Sequence, residues 1–246
     1  EGMGLDWALE PVDGDGRRQS AVATARPAFV AAAGRYRAAL TIDGATLDAT
    51  VTVTAGGDAT ARIVIPSAAL TLEAGLAAGT PAFDDWRDTR WTVKPVALSG
   101  AASAGPAIED RSETHPALVL LPGLWRVSVV SGEARAEQEI RLRPGEHRAL
   151  RLDLGAGRLT MAAAPIDGPA PLNIVFSAFP LSADGVPAER PLATGGARDQ
   201  LSAILPAGRY RITAADEMGR AATGDLTLAA GEARRVDLQL ETGAAP

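Results

Sequence analysis

The chain has 246 residues, of which 46% are hydrophobic and 22% charged, an ordinary globular balance with enough length for more than one small core. Its formal net charge of -6, from 24 basic and 30 acidic side chains, excludes the basic stripe that nucleic-acid binding needs. It has no cysteine, which excludes disulfide and thiolate chemistry, and no apolar run approaches the roughly 18 residues of a membrane-spanning helix.

Only 4% of residues are aromatic, so each ring is expected to be an anchor. The first is in Trp7-x-x-x-Pro11, an aromatic on a predicted strand that the proline stops. Turn chemistry follows at Asp13-Gly14-Asp15-Gly16. Asp13 and Asp15 begin like a calcium loop, but Arg17 stands at the next ligand position and Thr24 where a bidentate Glu belongs, which favours a plain turn.

A predicted strand at Pro27-Ala28-Phe29-Val30 leads into Gly34-Arg35-Tyr36-Arg37. Beyond it Leu47, Ala49, Val51 and Val53 alternate with Asp48, Thr50, Thr52 and Thr54, the period of a strand with one wet face. A tight turn at Gly57-Asp58 then introduces a last strand with Ile63 and Ile65 inward, and the two strands read as a hairpin.

The same order returns twice. Trp91-x-x-x-Pro95 and Phe176-x-x-x-Pro180 repeat the first landmark, with turns at Ser99-Gly100 and Asp184-Gly185. Pro116-Ala117-Leu118-Val119 and Leu201-Ser202-Ala203-Ile204-Leu205 lead into Gly123-Leu124-Trp125-Arg126 and Gly208-Arg209-Tyr210-Arg211. Turns at Gly145-Glu146 and Gly231-Glu232 precede last strands carrying Leu150, Leu152 and Leu154, then Val236, Leu238 and Leu240. Gly34, Gly123 and Gly208 are 89 and 85 residues apart, far beyond solenoid periods, so each unit is large enough for its own core.

The sequence therefore predicts an all-β chain of three tandem β-sandwich repeats, at 1–66, 67–156 and 157–246, which the resemblance given below makes Ig-like (transthyretin-like). Helices are disfavoured because 26 glycines and 17 prolines interrupt every stretch before three turns accumulate. Trp7, Tyr36, Trp91, Trp125, Phe176 and Tyr210 recur at matching positions and are expected to be structural anchors. The first repeat is read as N-terminally truncated: 21 positions separate Leu70 from Trp91 and 18 separate Arg158 from Phe176, while six precede Trp7. Glu1 is accordingly expected to lie inside a longer polypeptide, with the first repeat the least stable or borrowing a strand.

Leu205-Pro206-Ala207-Gly208-Arg209-Tyr210-Arg211-Ile212, with Ala230-Gly231-Glu232 and Val236-Asp237-Leu238-Gln239-Leu240, resembles the carboxypeptidase regulatory-like group of transthyretin-like Ig-fold domains. It is also similar to the Ig-like repeats found C-terminal to von Willebrand factor A domains in some bacterial envelope proteins. The resemblance covers about the last 40 residues of each repeat. It implies noncatalytic modules carried beside other domains.

Catalytic constellations are not found in the sequence. His115 and His147 have no counterparts in the other repeats and read as surface residues, and nucleophile-elbow, phosphate-loop and zincin motifs are absent. No catalytic residue, metal ligand or cofactor is assigned. The densest acidic cluster, Asp84-Asp85-Trp86-Arg87-Asp88, lies in an insertion of the second repeat, so Asp84, Asp85, Trp86 and Arg87 are the candidate binding residues.

The expected role is a noncatalytic structural or adhesive spacer in a bacterial cell-envelope or secreted protein, whether periplasmic, cell-surface or secreted. Expected partners are other domains of the same longer polypeptide or another envelope protein, with no nucleic acid and no transmembrane segment in this chain. The alternatives are a glycan- or peptide-binding module using the loops of the second repeat, and accessory domains of a hydrolase whose catalytic part lies outside this chain.

Overall fold

The computed structural model describes residues 5–13, 17–22, 24–42, 45–82, 89–96 and 107–242. All its regular elements are strands. In the first repeat these are β1 (Leu5–Pro11), β2 (Gln19–Val22), β3 (Gly34–Ile42) and β4 (Ala45–Val53). The second holds β5 (Ala68–Gly75), β6 (Thr89–Pro95), β7 (Ile108–Arg111), β8 (Ala117–Leu120), β9 (Gly123–Ser131), β10 (Ala134–Leu142) and β11 (His147–Asp153). The third holds β12 (Ala156–Pro165), β13 (Ile174–Pro180), β14 (Ala193–Ala197), β15 (Gln200–Pro206), β16 (Gly208–Asp216), β17 (Arg220–Leu228) and β18 (Ala233–Thr242). β1, β6 and β13 each end on the proline of the aromatic-x-x-x-Pro landmark, as a residue without an N–H to donate requires.

One sheet plan underlies all three repeats. The order β2-β1-β3-β4 of the first matches β7-β6-β9-β10 of the second and β14-β13-β16-β17 of the third. The second repeat adds a sheet ordered β11-β5-β8, and the third its counterpart β18-β12-β15. In the third the two halves join where Arg220 and Ala221 pair with Thr242 and Glu241, giving one seven-stranded order.

The hairpin expected in the second repeat is not formed, and in the third β17 and β18 pair only at Arg220 and Ala221, at the end away from the Gly231 turn. β10 pairs with β9 and β11 with β5, so the turn at Gly145 carries the chain from one sheet to the other. Crossing lets the inward rows of both strands meet over one core, where Ile140 and Leu142 join Leu150 and Leu152. The middle strand of each second sheet is mixed: β5 runs parallel to β11 and antiparallel to β8, and β12 runs parallel to β18 and antiparallel to β15.

Trp91 and Trp125 are fully buried with Leu70, Leu72, Val93 and Val127. Phe176 and Tyr210 are buried likewise with Leu159, Met161, Ile174 and Leu205. In the first repeat Tyr36 is buried but Trp7 is only half-buried.

Two further expectations for the first repeat are corrected. Residues 27–30 and 59–65 are not strands, and Ile65 is exposed. The strand that would pair with both, the equivalent of β5 and β12, has no counterpart among the described residues, so these segments have no ladder to join. The turn also sits one residue earlier than Gly57-Asp58. Gly57 N–H donates to the Thr54 carbonyl at 3.2 Å, and Gly56, at φ +67°, is the left-handed glycine equivalent to Gly145 and Gly231.

Candidate functional site

The repeated Gly-x-aromatic-Arg motif builds a corner. The aromatic points inward and its polar tip donates to the carbonyl four residues upstream: Tyr36 Oη to Ala32 at 3.0 Å, Trp125 Nε1 to Leu121 at 3.0 Å and Tyr210 Oη to Pro206 at 2.7 Å. Burial pushes the Tyr210 phenol above its ordinary pKa. The arginine points outward and pairs with an acid on the next strand, Arg126 with Glu139 at 2.7 Å and Arg211 with Asp225 at 2.8 Å. Arg37 pairs with Asp48 in the same way. The hydrogen bond from Arg211 holds the Asp225 carboxyl below the usual range. These are structural fixings, and alternation in the sequence accounts for both directions.

A second cluster fixes the second repeat to the third. Ile204 of β15 is buried in the core of the second repeat, and its carbonyl accepts from Glu133 N–H at 3.0 Å. Gly132 lies against Ile204: a Cβ added there would come within 2.8 Å of the Ile204 carbonyl. Leu154 N–H donates to Gly75 and Ala156 N–H to Leu76, both at 2.8 Å, so the backbone between β11 and β12 is held on each side of Gly155. The turn at Gly231 closes the far side, where an added Cβ would meet Thr80 at 2.8 Å and Ala77 at 3.3 Å. Arg151 braces that loop, donating to the Thr80 carbonyl at 2.7 Å while it pairs with Asp153 and Glu73.

The third cluster is a buried ion pair in the turn between β16 and β17. Arg220 Nε meets Asp216 Oδ2 at 2.6 Å with the Asp216 side chain wholly buried. The other Asp216 oxygen accepts the N–H groups of Met218 and Arg220, each at 2.9 Å. Arg220 also donates to the carbonyls of Asp167 and Pro169, and Glu217 accepts Leu172 N–H at 2.7 Å, so the turn clamps the β12–β13 connection. Burial raises the Asp216 carboxyl, but the hydrogen bonds from Arg220 and Met218 outweigh it and hold the group below the usual carboxylate range.

The sequence-predicted binding residues Asp84, Asp85, Trp86 and Arg87 lie outside the described residues, as does Asp15. Asp13 lies on the surface, 3.8 Å from Arg35. His115 and His147 are both exposed. Among the described residues no group of three or more His, Cys, Asp or Glu side chains could hold a metal ion, and no helix is long and apolar enough to cross a membrane. A shallow depression of about 420 Å³ is lined by Leu181, Arg209, Asp225, Leu226, Thr227 and Arg234. Its one acid, Asp225, is already paired with Arg211. The short connection from Leu154 to Leu159 is legible in the sequence as a restraint on the two units, but the contacts that fix them are not, because Gly132, Ile204 and Gly231 carry no shared local pattern.

No protein-family model matches the chain, and no curated protein matches it. Among solved structures it is similar to the Bacillus anthracis TIE protein, at 12% identity and a TM-score of 0.30, with 98% of this chain and 52% of that one covered. The chain thus spans about half the length of that protein. It is also similar to a streptococcal ancillary pilin, at 10% identity and a TM-score of 0.34, with 98% and 92% covered. A third is GBS52, the minor pilin of Streptococcus agalactiae, at 12% identity and a TM-score of 0.31, with 72% and 97% covered. At such scores the backbones overlap too little for any function to be transferred.

Proposed function

We propose that this chain is a noncatalytic structural spacer of a bacterial cell-envelope or secreted protein, built from three β-sandwich units at 1–66, 67–156 and 157–246. The observation that supports the reading is the joint between the second and third units. A linker of two residues, Leu154 and Gly155, connects β11 to β12, and Ile204 of one unit is packed into the core of the other. Connected units ordinarily move relative to each other unless a large or apolar contact holds them. A spacer needs that hold, because a fixed joint turns two small sandwiches into one longer rigid body. The motif's resemblance to envelope repeats supports the compartment.

The test is a distance measurement by pulsed electron paramagnetic resonance, with Val119→Cys and Leu172→Cys carrying spin labels on the two units. The chain has no native cysteine, and both positions are exposed. The spacer reading expects one narrow distance distribution that broadens when Ile204→Asp is added. A broad distribution in the otherwise native chain would overturn it.

A further inference from the structure

The sheets end on strands that differ in how well their outer edges are protected. These ends are β2 and β4 in the first repeat, β10 and β7 with β11 and β8 in the second, and β14 and β15 in the third. An open edge invites pairing with another chain unless it is short, irregular or charged. β2, β7 and β8 have four residues each and β14 has five. β7 also shifts register against β6 and holds Asp110 at φ +54°. β15 ends on Pro206, and its Ile204 carbonyl is taken by Glu133 N–H. β11 carries His147, Arg148, Arg151 and Asp153, and β10 presents Arg135, Glu137, Glu139 and Arg141 to solvent.

β4 has none of these protections. Its nine residues pair with β3 in unbroken register from Ala45 to Val53, and no described strand bonds its other side. The exposed row is Thr46, Asp48, Thr50 and Thr52. Its one charge is held by Arg37 of β3, whose Nε donates to Asp48 at 2.6 Å. Thr46, Thr50, Val51, Thr52 and Val53 are β-branched, which suits an extended, pleated edge.

The sandwich plan itself leaves this edge open. β10, the equivalent strand of the second repeat, ends its sheet with β5 in place, so a strand at the place of β5 in the first repeat would join the other sheet and leave β4 open too. The following repeat does not cover it either. Val119 stands four residues before its motif glycine, as Ile204 does, but is 73% exposed where Ile204 is buried in the neighbouring core.

What fits the edge is set by its own sequence. Laid antiparallel to itself about its middle residue, Ala49, β4 sets Thr46 against Thr52, Asp48 against Thr50 and Leu47 against Val51, so polar faces polar and apolar faces apolar. The same operation on β10, about Gln138, sets Glu137 against Glu139 and Arg135 against Arg141, where like charges repel. β4 is thus complementary to itself, and its counterpart is not. We propose that β4 is the docking edge for β4 of a second copy of this chain, the two strands running antiparallel about Ala49 so that two first-repeat sheets join into one. The proposal goes beyond the spacer reading and does not depend on it.

The test is sedimentation velocity on the full chain at about 100 μM, where self-pairing with a dissociation constant of that size or tighter places half or more of the chains in dimers. The native chain should sediment as a dimer. Thr46→Lys with Thr52→Lys sets like charges opposite each other across the two-fold axis, and should be monomeric with an unchanged circular dichroism spectrum. Thr46→Lys with Thr52→Glu sets opposite charges there, and should dimerise again. Amide hydrogen exchange reads the native chain without substitution: β4 should slow at least about twofold between about 1 μM and about 100 μM, while β10 and β16 stay unchanged. A monomeric native chain or β4 exchange indifferent to concentration would overturn the proposal. So would a dimer that survives the first double substitution, or one that the second fails to restore.

Discussion

The phenol of Tyr210 donates a 2.7 Å hydrogen bond to the carbonyl of Pro206, closing the chain over Gly208 at the point where β15 gives way to β16. These strands lie on opposite halves of the third repeat's sheet order, so the bond fixes how the chain crosses between them. The Trp125 indole makes the same bond to Leu121 in the second repeat. A tyrosine and a tryptophan are interchangeable here because each offers an apolar body and a single donor at its tip.

The polar tip and the rest of the ring can be separated by substitution. Trp125→Phe removes the N–H together with the smaller ring of the indole, leaves the Leu121 carbonyl without its donor and part of the site unfilled, and should cost about 1 to 3 kcal/mol. Trp125→Ala also empties a fully buried site and should cost about 3 to 5 kcal/mol. Urea melts of the two variants check the order. Equal losses would mean that the bond and the smaller ring, and not the rest of the packing, hold the corner.

The Asp216–Arg220 pair gives the third repeat an acid-sensitive element. Its carboxyl has a lower pKa folded than unfolded, so the unfolded chain takes up the proton first as pH falls. The stabilisation is complete above the unfolded value of about 3.9 and is lost as pH drops through the folded value below it. Asp216→Asn should therefore lower stability at pH 7 and flatten its fall between pH 5 and 3 in urea melts. Arg220→Ala leaves a buried carboxylate without its partner and should cost about 3 to 5 kcal/mol at pH 7. Parallel pH profiles for the native chain and Asp216→Asn would disprove the role of this carboxyl.

How much of this was legible in the sequence depends on the range of the interaction. Gly-x-aromatic-Arg and aromatic-x-x-x-Pro are local signals, and they place the strand ends at Pro11, Pro95 and Pro180 and the all-β class correctly. Alternation gives the inward row of β10 and of β11 but does not say whether the turn between them keeps one sheet or crosses to another, so the hairpin of the second repeat was misread. In the first repeat the pair Gly56-Gly57 offers two equivalent turn residues, and only the backbone angle at Gly56 decides between them. Residues 59–65 carry a strand pattern without becoming a strand, because pattern supplies a face and not a hydrogen-bonding neighbour. The short linker of the joint is legible, but its packing is not, because Ile204 and Gly132 meet from different repeats.

The two histidines give a plain test of the noncatalytic reading. His115 and His147 are exposed, so His115→Ala and His147→Ala should each change stability by less than about 0.5 kcal/mol in urea melts. Neither should alter the interspin distance between positions 119 and 172. Loss of any measured binding or activity in a folded single variant would contradict the reading.

The joint itself can be isolated by comparing two equivalent glycines. Gly145 and Gly231 occupy the same turn in successive repeats, at φ +74° and φ +80°, so an alanine at either pays a left-handed penalty of about 1 to 2 kcal/mol. Their surroundings differ. An added Cβ at Gly145 meets nothing within 4 Å, whereas at Gly231 it would press on Thr80 and Ala77 of the neighbouring repeat. Gly145→Ala should therefore lower stability without moving one repeat against the other. Gly231→Ala should lower it by a similar amount and also shift or broaden the 119–172 distance. Adding Thr80→Ala removes the methyl that the new Cβ meets, and should restore the native distance while the left-handed penalty stays. If Gly231→Ala leaves the distance unchanged, the turn does not bear on the joint, and the hold between the repeats rests on Ile204 and the backbone bonds on each side of Gly155.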